Sequence, residues 1–294
     1  MQKIIPHLWF DKEAKEAVDF YVSTFPKSKI KNTTTLHNTP SGSVDIVTFE
    51  LSGFEFQAIS AGPLFKFNPS ISFHVKCETK EEVDTLWKKL ADGGQVLMEL
   101  GTYPFSDRYG WVQDKYGLSW QIIYSSGADV IHKITPVIMF VGNVCGKAEE
   151  AVKFWTSVFR QSNIATILHY GKGEQPDKEG TLKYAAFSLF GQEFGAMDSA
   201  HEHRFSFNEA ISFIVSCDTQ EEIDYYWNKL TAVPEAEACG WLKDKYGVSW
   251  QVIPTRMNEL LQGGDRVKID RVTQAFLPMK KLDIEKLQEA YEGK

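Results

Sequence analysis

The stretch Tyr109-Gly-Trp-Val-Gln-Asp-Lys-Tyr-Gly-Leu-Ser-Trp-Gln-Ile-Ile-Tyr124 decides the architecture, because the chain contains it twice. Cys239-Gly-Trp-Leu-Lys-Asp-Lys-Tyr-Gly-Val-Ser-Trp-Gln-Val-Ile-Pro254 is identical at 10 of 16 positions and lies 130 residues further on. Each copy reads as two strands around a turn: Trp111 to Gln113, then Asp114-Lys-Tyr-Gly117, then Leu118 to Tyr124. Gly117 suits a backbone with positive φ, and the bulky run after it suits a buried strand. A repeat of this length divides the chain into two related domains.

Working outward, both copies extend upstream. Lys3–Phe10 reads as a strand, followed by a helix from about Lys12 to Phe25 with Ala14, Ala17, Val18, Tyr21 and Phe25 at helical spacing. The second copy repeats this at Lys133–Phe140 and at Ala148, Ala151, Val152, Trp155 and Phe159. Extended segments over about Lys29–His37, Ser43–Leu51 and Phe54–Ser60 complete a strand–helix–three-strand module. A second module opens at Ile71–Cys77. Thr79-Lys-Glu-Glu82 then forms a capping box ahead of an apolar helical stripe, Val83, Leu86, Trp87 and Leu90. Thr219-Gln-Glu-Glu222 with Ile223, Tyr226, Trp227 and Leu230 matches it. The offset between copies rises from 130 to 140 and returns to 130. Residues are therefore gained around Gly171–Gly180, and 10 are lost between Leu230 and Gly240. That loss is expected to remove most or all of one strand. The domains predicted are 1–127, 128–255 and a helical tail over 256–294, in which Ile269, Val272, Phe276 and Leu287 are apolar enough to dock.

Hydrophobic content of 43% and charged content of 24% fit a globular protein, and a net charge of −7 without a Lys/Arg run disfavours nucleic acid. No apolar run approaches the roughly 20 residues of a membrane span, and no secretory signal is read, so a cytoplasmic setting is expected. The four cysteines lack metal-type spacing; Cys77 and Cys217 occupy equivalent strand ends, which favours packing. Phosphate-loop, dinucleotide, Gly-x-Ser-x-Gly and His-Glu-x-x-His signatures are all missing from the sequence.

The paired modules resemble those of the vicinal oxygen chelate superfamily, which includes glyoxalase I, bleomycin-resistance proteins and extradiol dioxygenases. Pro6-His-Leu-Trp-Phe-Asp11, Glu16-Ala-Val-Asp-Phe-Tyr21, Asp107-Arg-Tyr-Gly-Trp111 and the tail Arg271–Glu285 are similar to its PhnB-like branch. The fold class implied is α+β: two tandem glyoxalase-like domains, each of paired βαβββ modules forming a curved sheet or half-open barrel, plus the tail. Related single-domain proteins dimerise, so the resemblance implies either a homodimer or pairing of the two halves. Superfamily enzymes hold a divalent metal on His, Glu or Gln at the first, fourth, fifth and eighth strands. Carried over, those positions fall on Ile5, Gln57 to Ile59, Ser72 and Gln121, and in the second half on Thr135, Ala196 to Asp198, Ser212 and Gln251. Ile cannot coordinate a metal and neutral Gln is a weak ligand, so no cofactor is expected, a divalent metal being the alternative.

Strand alternation puts His7 and Trp9 on the face of Ile5, and His74 on the face of Ser72, so the two histidines are expected to overlook one pocket beside Gln121. They could serve there as ligand contacts, as ligands of a displaced metal, or as acid and base. Arg108, where the branch usually carries arginine, could bind a carboxylate or phosphate, or form a surface ion pair. The candidate ligand-binding set is therefore His7, Trp9, Ser72, His74, Arg108 and Gln121. Asp114 and Asp244 are expected to cap turns. The predicted function is binding of a small anionic or oxygen-rich molecule in the first domain's pocket. The alternatives are a metal-dependent lyase, isomerase or dioxygenase, and a structural or regulatory protein with no small ligand. The second domain is expected to be mainly structural, since Val137, Ile214 and Ala238 match His7, His74 and Arg108. Asp198 and Tyr184, matching Ser60 and Ile46, count the other way.

Overall fold

Alternation in β1 (Ile4–Phe10) sends Ile4, Leu8 and Phe10 into the core and leaves Ile5, His7 and Trp9 on the opposite face. That division recurs throughout the chain. The computed structural model describes residues 2–126, 133–262 and 265–294. The first module is β1, α1 (Ala14–Thr24), β2 (Lys29–Thr39), β3 (Gly42–Leu51) and β4 (Phe54–Ser60). The second is β5 (Ile71–Cys77), α2 (Lys80–Ala91), β6 (Gln95–Tyr103), β7 (Ser106–Gln113) and β8 (Ser119–Tyr124). The third is β9 (Ile134–Phe140), α3 (Ala148–Val158), β10 (Asn163–His169), β11 (Leu182–Leu189) and β12 (Gln192–Asp198). The fourth is shorter: β13 (Ile211–Cys217), α4 (Gln220–Leu230), β14 (Trp241–Lys243) and β15 (Ser249–Pro254). The counterpart of β6 is replaced by a single 3-10 turn at Pro234–Ala236, as the 10-residue loss requires.

The modules combine across the halves. A seven-stranded sheet runs β14-β15-β13-β1-β4-β3-β2, and an eight-stranded sheet runs β10-β11-β12-β9-β5-β8-β7-β6. The seam in the first is the antiparallel pair β1–β13, with His7 opposite Ser212; in the second it is β5–β9, with His74 opposite Thr135. Each sheet therefore takes one module from each half, and the two halves pair with each other. Their convex faces and four helices share one core, in which Phe56 meets Phe73 at 5.0 Å and Phe194 meets Phe213 at 5.6 Å.

The repeated turn anchors both halves. Asp114 is buried and accepts hydrogen bonds from the Tyr21 hydroxyl (2.8 Å), Trp120 Nε1 (2.8 Å) and the backbone N–H groups of Tyr116 and Leu118. Asp244 accepts from Trp155 and Trp250, both at 2.9 Å, and from Tyr246 and Val248 N–H. Burial pushes both carboxyls up, and the four donors around each oppose that shift. Gly110 is required beside this turn, because a Cβ there would lie 2.4 Å from the Trp87 ring.

Three helices form the tail: α5 (Met257–Gln262), α6 (Arg266–Phe276, capped by Asp265) and α7 (Ile284–Glu292, capped by Asp283). They dock on the seven-stranded sheet, where Val272, Leu282 and Leu287 join Leu36, Val44 and Ala61 in a second buried cluster. Gln274 donates to Asn38 O at the β2 end, and Met279 O and Lys280 O accept from Cys239 and Gly240 beside β14. The tail thus spans both edges of this sheet. Among the described residues, no helix is long and apolar enough to cross a membrane.

Candidate functional site

The concave face of the seven-stranded sheet encloses a cavity of about 430 Å³. Its floor carries Ile5, His7, Gln57, Ile214, Trp241 and Gln251; Met257, Leu261 and Phe276 of the tail form its roof. His7 is 3% exposed and meets the Trp241 ring edge-on at 5.3 Å. Neither ring nitrogen has a hydrogen-bond partner among the described residues, and Nδ1 is fully buried. Burial lowers its pKa to about 3, so the imidazole is neutral at physiological pH. Trp9 packs against Phe65 and Trp241 and donates Nε1–H to Gly62 O at 2.8 Å. Gln251 donates to Ser212 Oγ at 2.9 Å and Gln57 to Thr48 Oγ1 at 3.4 Å, leaving both Oε1 atoms without a donor among the described residues. The charged wall residues are Lys31, Glu55 and Glu259, and Lys31 is paired with Glu55 at 2.5 Å.

The other candidates lie elsewhere. Ser72, His74 and Gln121 are in the eight-stranded sheet, so the six residues do not share one pocket. The two histidines fall on equivalent faces, but β1 and β5 belong to different sheets, which alternation within a strand does not reveal. There Gln121 donates to Ser72 Oγ (2.7 Å) and its Oε1 accepts the Tyr109 hydroxyl (2.7 Å). His74 lies 6.4 Å from the Tyr109 ring, and burial, with Lys76 adding, lowers its pKa to about 4. Arg108 leaves the concave faces altogether: its Nε donates to Asp84 Oδ1 on α2 at 2.7 Å. Asp198 is likewise no pocket group. It accepts from Gly146, Ala148 and Leu182 N–H, bracing the start of α3 as Ser60 Oγ braces Ala14 at the start of α1.

The cavity draws on both halves and the tail, whereas the sequence led to the expectation of a mainly structural second half. Trp241, Cys239, Met257, Leu261 and Phe276 are wall residues that sequence reasoning missed. A usable signal existed in the 10-residue loss, which had to expose this edge of the sheet to whatever followed.

The family metal positions can be placed on this geometry. In the seven-stranded sheet they are Ile5, Gln57, Ser212 and Gln251; in the eight-stranded one they include Thr135, Ser72 and Gln121. Neither is a donor set for a divalent cation. Among the described residues no three His, Cys, Asp or Glu side chains gather as one could require.

The sequence model of the 3-demethylubiquinone-9 3-methyltransferase family matches twice, over residues 2–123 and 132–253. The chain belongs to that family. It is a tandem PhnB-like member of the vicinal oxygen chelate superfamily. A Bacillus cereus protein described as "Putative 3-demethylubiquinone-9 3-methyltransferase, PhnB protein" is 43% identical over 42% of this chain and 100% of its own (TM-score 0.40). A glyoxalase I variant from Zea mays is 11% identical over 86% of this PhnB-like chain and 94% of its own, with a TM-score of 0.56, a likeness of fold across both halves. Among curated proteins none matches.

Proposed function

We propose that this PhnB-like chain binds an uncharged, largely apolar small molecule in the cavity between the seven-stranded sheet and the tail. The observation carrying this reading is the wall itself: a neutral histidine, two glutamines, two tryptophans and aliphatic side chains around about 430 Å³, with charge confined to the Lys31–Glu55 pair and Glu259. Such a lining, apolar over most of its area, suits a small molecule. An anion would lose its hydration, and among the described wall residues the cation present, Lys31, is engaged by Glu55. Fold membership alone assigns no reaction. A methyl-transfer reading lacks support in the sequence, which contains no strand–glycine-loop–helix segment to hold a methyl donor.

A thermal-shift screen of matched neutral and carboxylate compounds tests the reading. A neutral ligand at 100 times its Kd should stabilise by about 2.7 kcal/mol, a rise of several degrees in Tm. Ile214→Trp, which places an indole in the cavity, should abolish the shift. Carboxylates as the sole hits, or a shift that survives Ile214→Trp, would refute it.

A further inference from the structure

The chain contains two versions of one concave face, and comparing them shows what the open one lacks. In the eight-stranded sheet Tyr109 donates its hydroxyl to Gln121 Oε1 at 2.7 Å. The 130-residue offset places Gln251 at the position of Gln121, Trp241 at that of Trp111 and Cys239 at that of Tyr109. The registers agree, Trp111 facing Gln121 on β8 and Trp241 facing Gln251 on β15. Cys239 cannot replace the phenol. Its thiol donates to Leu277 O of the tail at 3.2 Å, and its φ of +52° turns the backbone out of the strand path that Tyr109 follows.

A second phenol is missing in the same way. Tyr184 lies over Gly195, where a Cβ would come within 3.0 Å of its hydroxyl. In the seven-stranded sheet the matching residues are Ile46 and Gln57, both on the cavity wall. Gly195 and Gln57 occupy equivalent registers, opposite Val137 and His7 respectively. The eight-stranded face is therefore filled by the protein's own tyrosine rings. Its counterpart has neither, and has the same glutamine acceptor that one of them satisfies.

We propose that the cavity takes a hydroxylated aromatic molecule of one or two rings, whose hydroxyl donates to Gln251 Oε1 as Tyr109 does to Gln121. This rests on the binding reading above and narrows it to a ligand class. The ring lies among Ile5, Ile214 and Trp241, and the hydroxyl supplies the donor that this buried amide lacks.

The test is a ligand series on the full chain by calorimetry: 2-naphthol, 2-methoxynaphthalene, naphthalene and 2-naphthoate. 2-Naphthol should bind at one site. The methoxy and unsubstituted compounds, which have no donor, should bind at least about tenfold more weakly. Gln251→Met, near-isosteric and checked for an unchanged fold by circular dichroism, should erase that preference while leaving naphthalene binding in place. The series on the unaltered chain decides the matter even if this variant misfolds. Equal binding of 2-naphthol and 2-methoxynaphthalene would overturn the phenol assignment and leave the neutral pocket standing. Binding of 2-naphthoate alone would overturn both. No binding by any member would also overturn the assignment, and the broader thermal-shift screen would then decide separately whether the cavity binds neutral molecules.

Discussion

His7 shows how a single residue is remade by its surroundings. As an isolated imidazole it would titrate near neutrality, yet burial beside Trp241, with Gln57 and Ser212 as its cross-strand neighbours, lowers its pKa to about 3 from 6.5. The unfolded chain therefore takes up a proton near pH 6.5 that the folded chain refuses until about pH 3. The stability His7 contributes is complete above pH 6.5 and is lost as pH falls through that window. Each tenfold difference in proton affinity between the two states is worth about 1.4 kcal/mol, so the whole window costs several kcal/mol. His7→Leu should flatten the decline in denaturant midpoint between pH 6.5 and 4, with His74 leaving a smaller residual slope. An unchanged pH profile in the variant would contradict the buried, neutral assignment. With its pKa so low, the imidazole near pH 7 carries no proton to give as an acid and is a weak base.

At the scale of elements, what could be read in advance depended on whether the signal was local. Strand alternation, the Thr79 and Thr219 caps and the helical stripes are written in neighbouring residues, and the structure follows them closely. The missing β6 counterpart was legible too, because 10 absent residues cannot form a strand. Strand neighbours across the halves were not legible. Alternation fixes the buried face of β1 but says nothing about β13, so His7 and His74 could not be assigned to different sheets. The roof was half legible: apolar Ile269, Val272 and Leu287 required burial, but nothing in their spacing pointed to a cavity. Val272, fully buried in the tail cluster, tests that docking. Val272→Asp would bury an unpaired carboxylate, at a cost of about 3 kcal/mol or more, unless the tail detaches. Detachment is the cheaper response. Limited proteolysis should then cut the variant rapidly beyond Thr255 while the parent resists, and ligand-induced stabilisation should disappear with the roof. Equal resistance in both proteins would mean that the tail is held by something other than this cluster.

On the scale of the whole molecule, the decisive feature is that each sheet is completed by the other half. β1 needs an antiparallel partner along Ile4–Leu8, and β13 supplies it in a register where Ile4 meets Val215 and His7 meets Ser212. Subtracting the 140-residue offset turns those partners into Val75 and Ser72 of β5, which belongs to the first half itself. One half cannot use its own β5 in this way, because its two modules sit in different sheets and share a core through their convex sides. A second copy of the same half can. Residues 2–126 expressed alone should therefore form a homodimer in which β1 of each copy pairs with β5 of the other. The exposed seam gives the driving force, since separation would leave the backbone groups of two strands unpaired and uncover the apolar surface where Ile71 faces Ile138. Size-exclusion chromatography with light scattering should give twice the mass of the half, and Ser72→Pro, which removes a ladder N–H at the seam, should destabilise the dimer. Proline tolerance at Pro6 of β1 makes that contrast specific to β5. A folded monomer of residues 2–126 would show that the seam is not what joins the two halves.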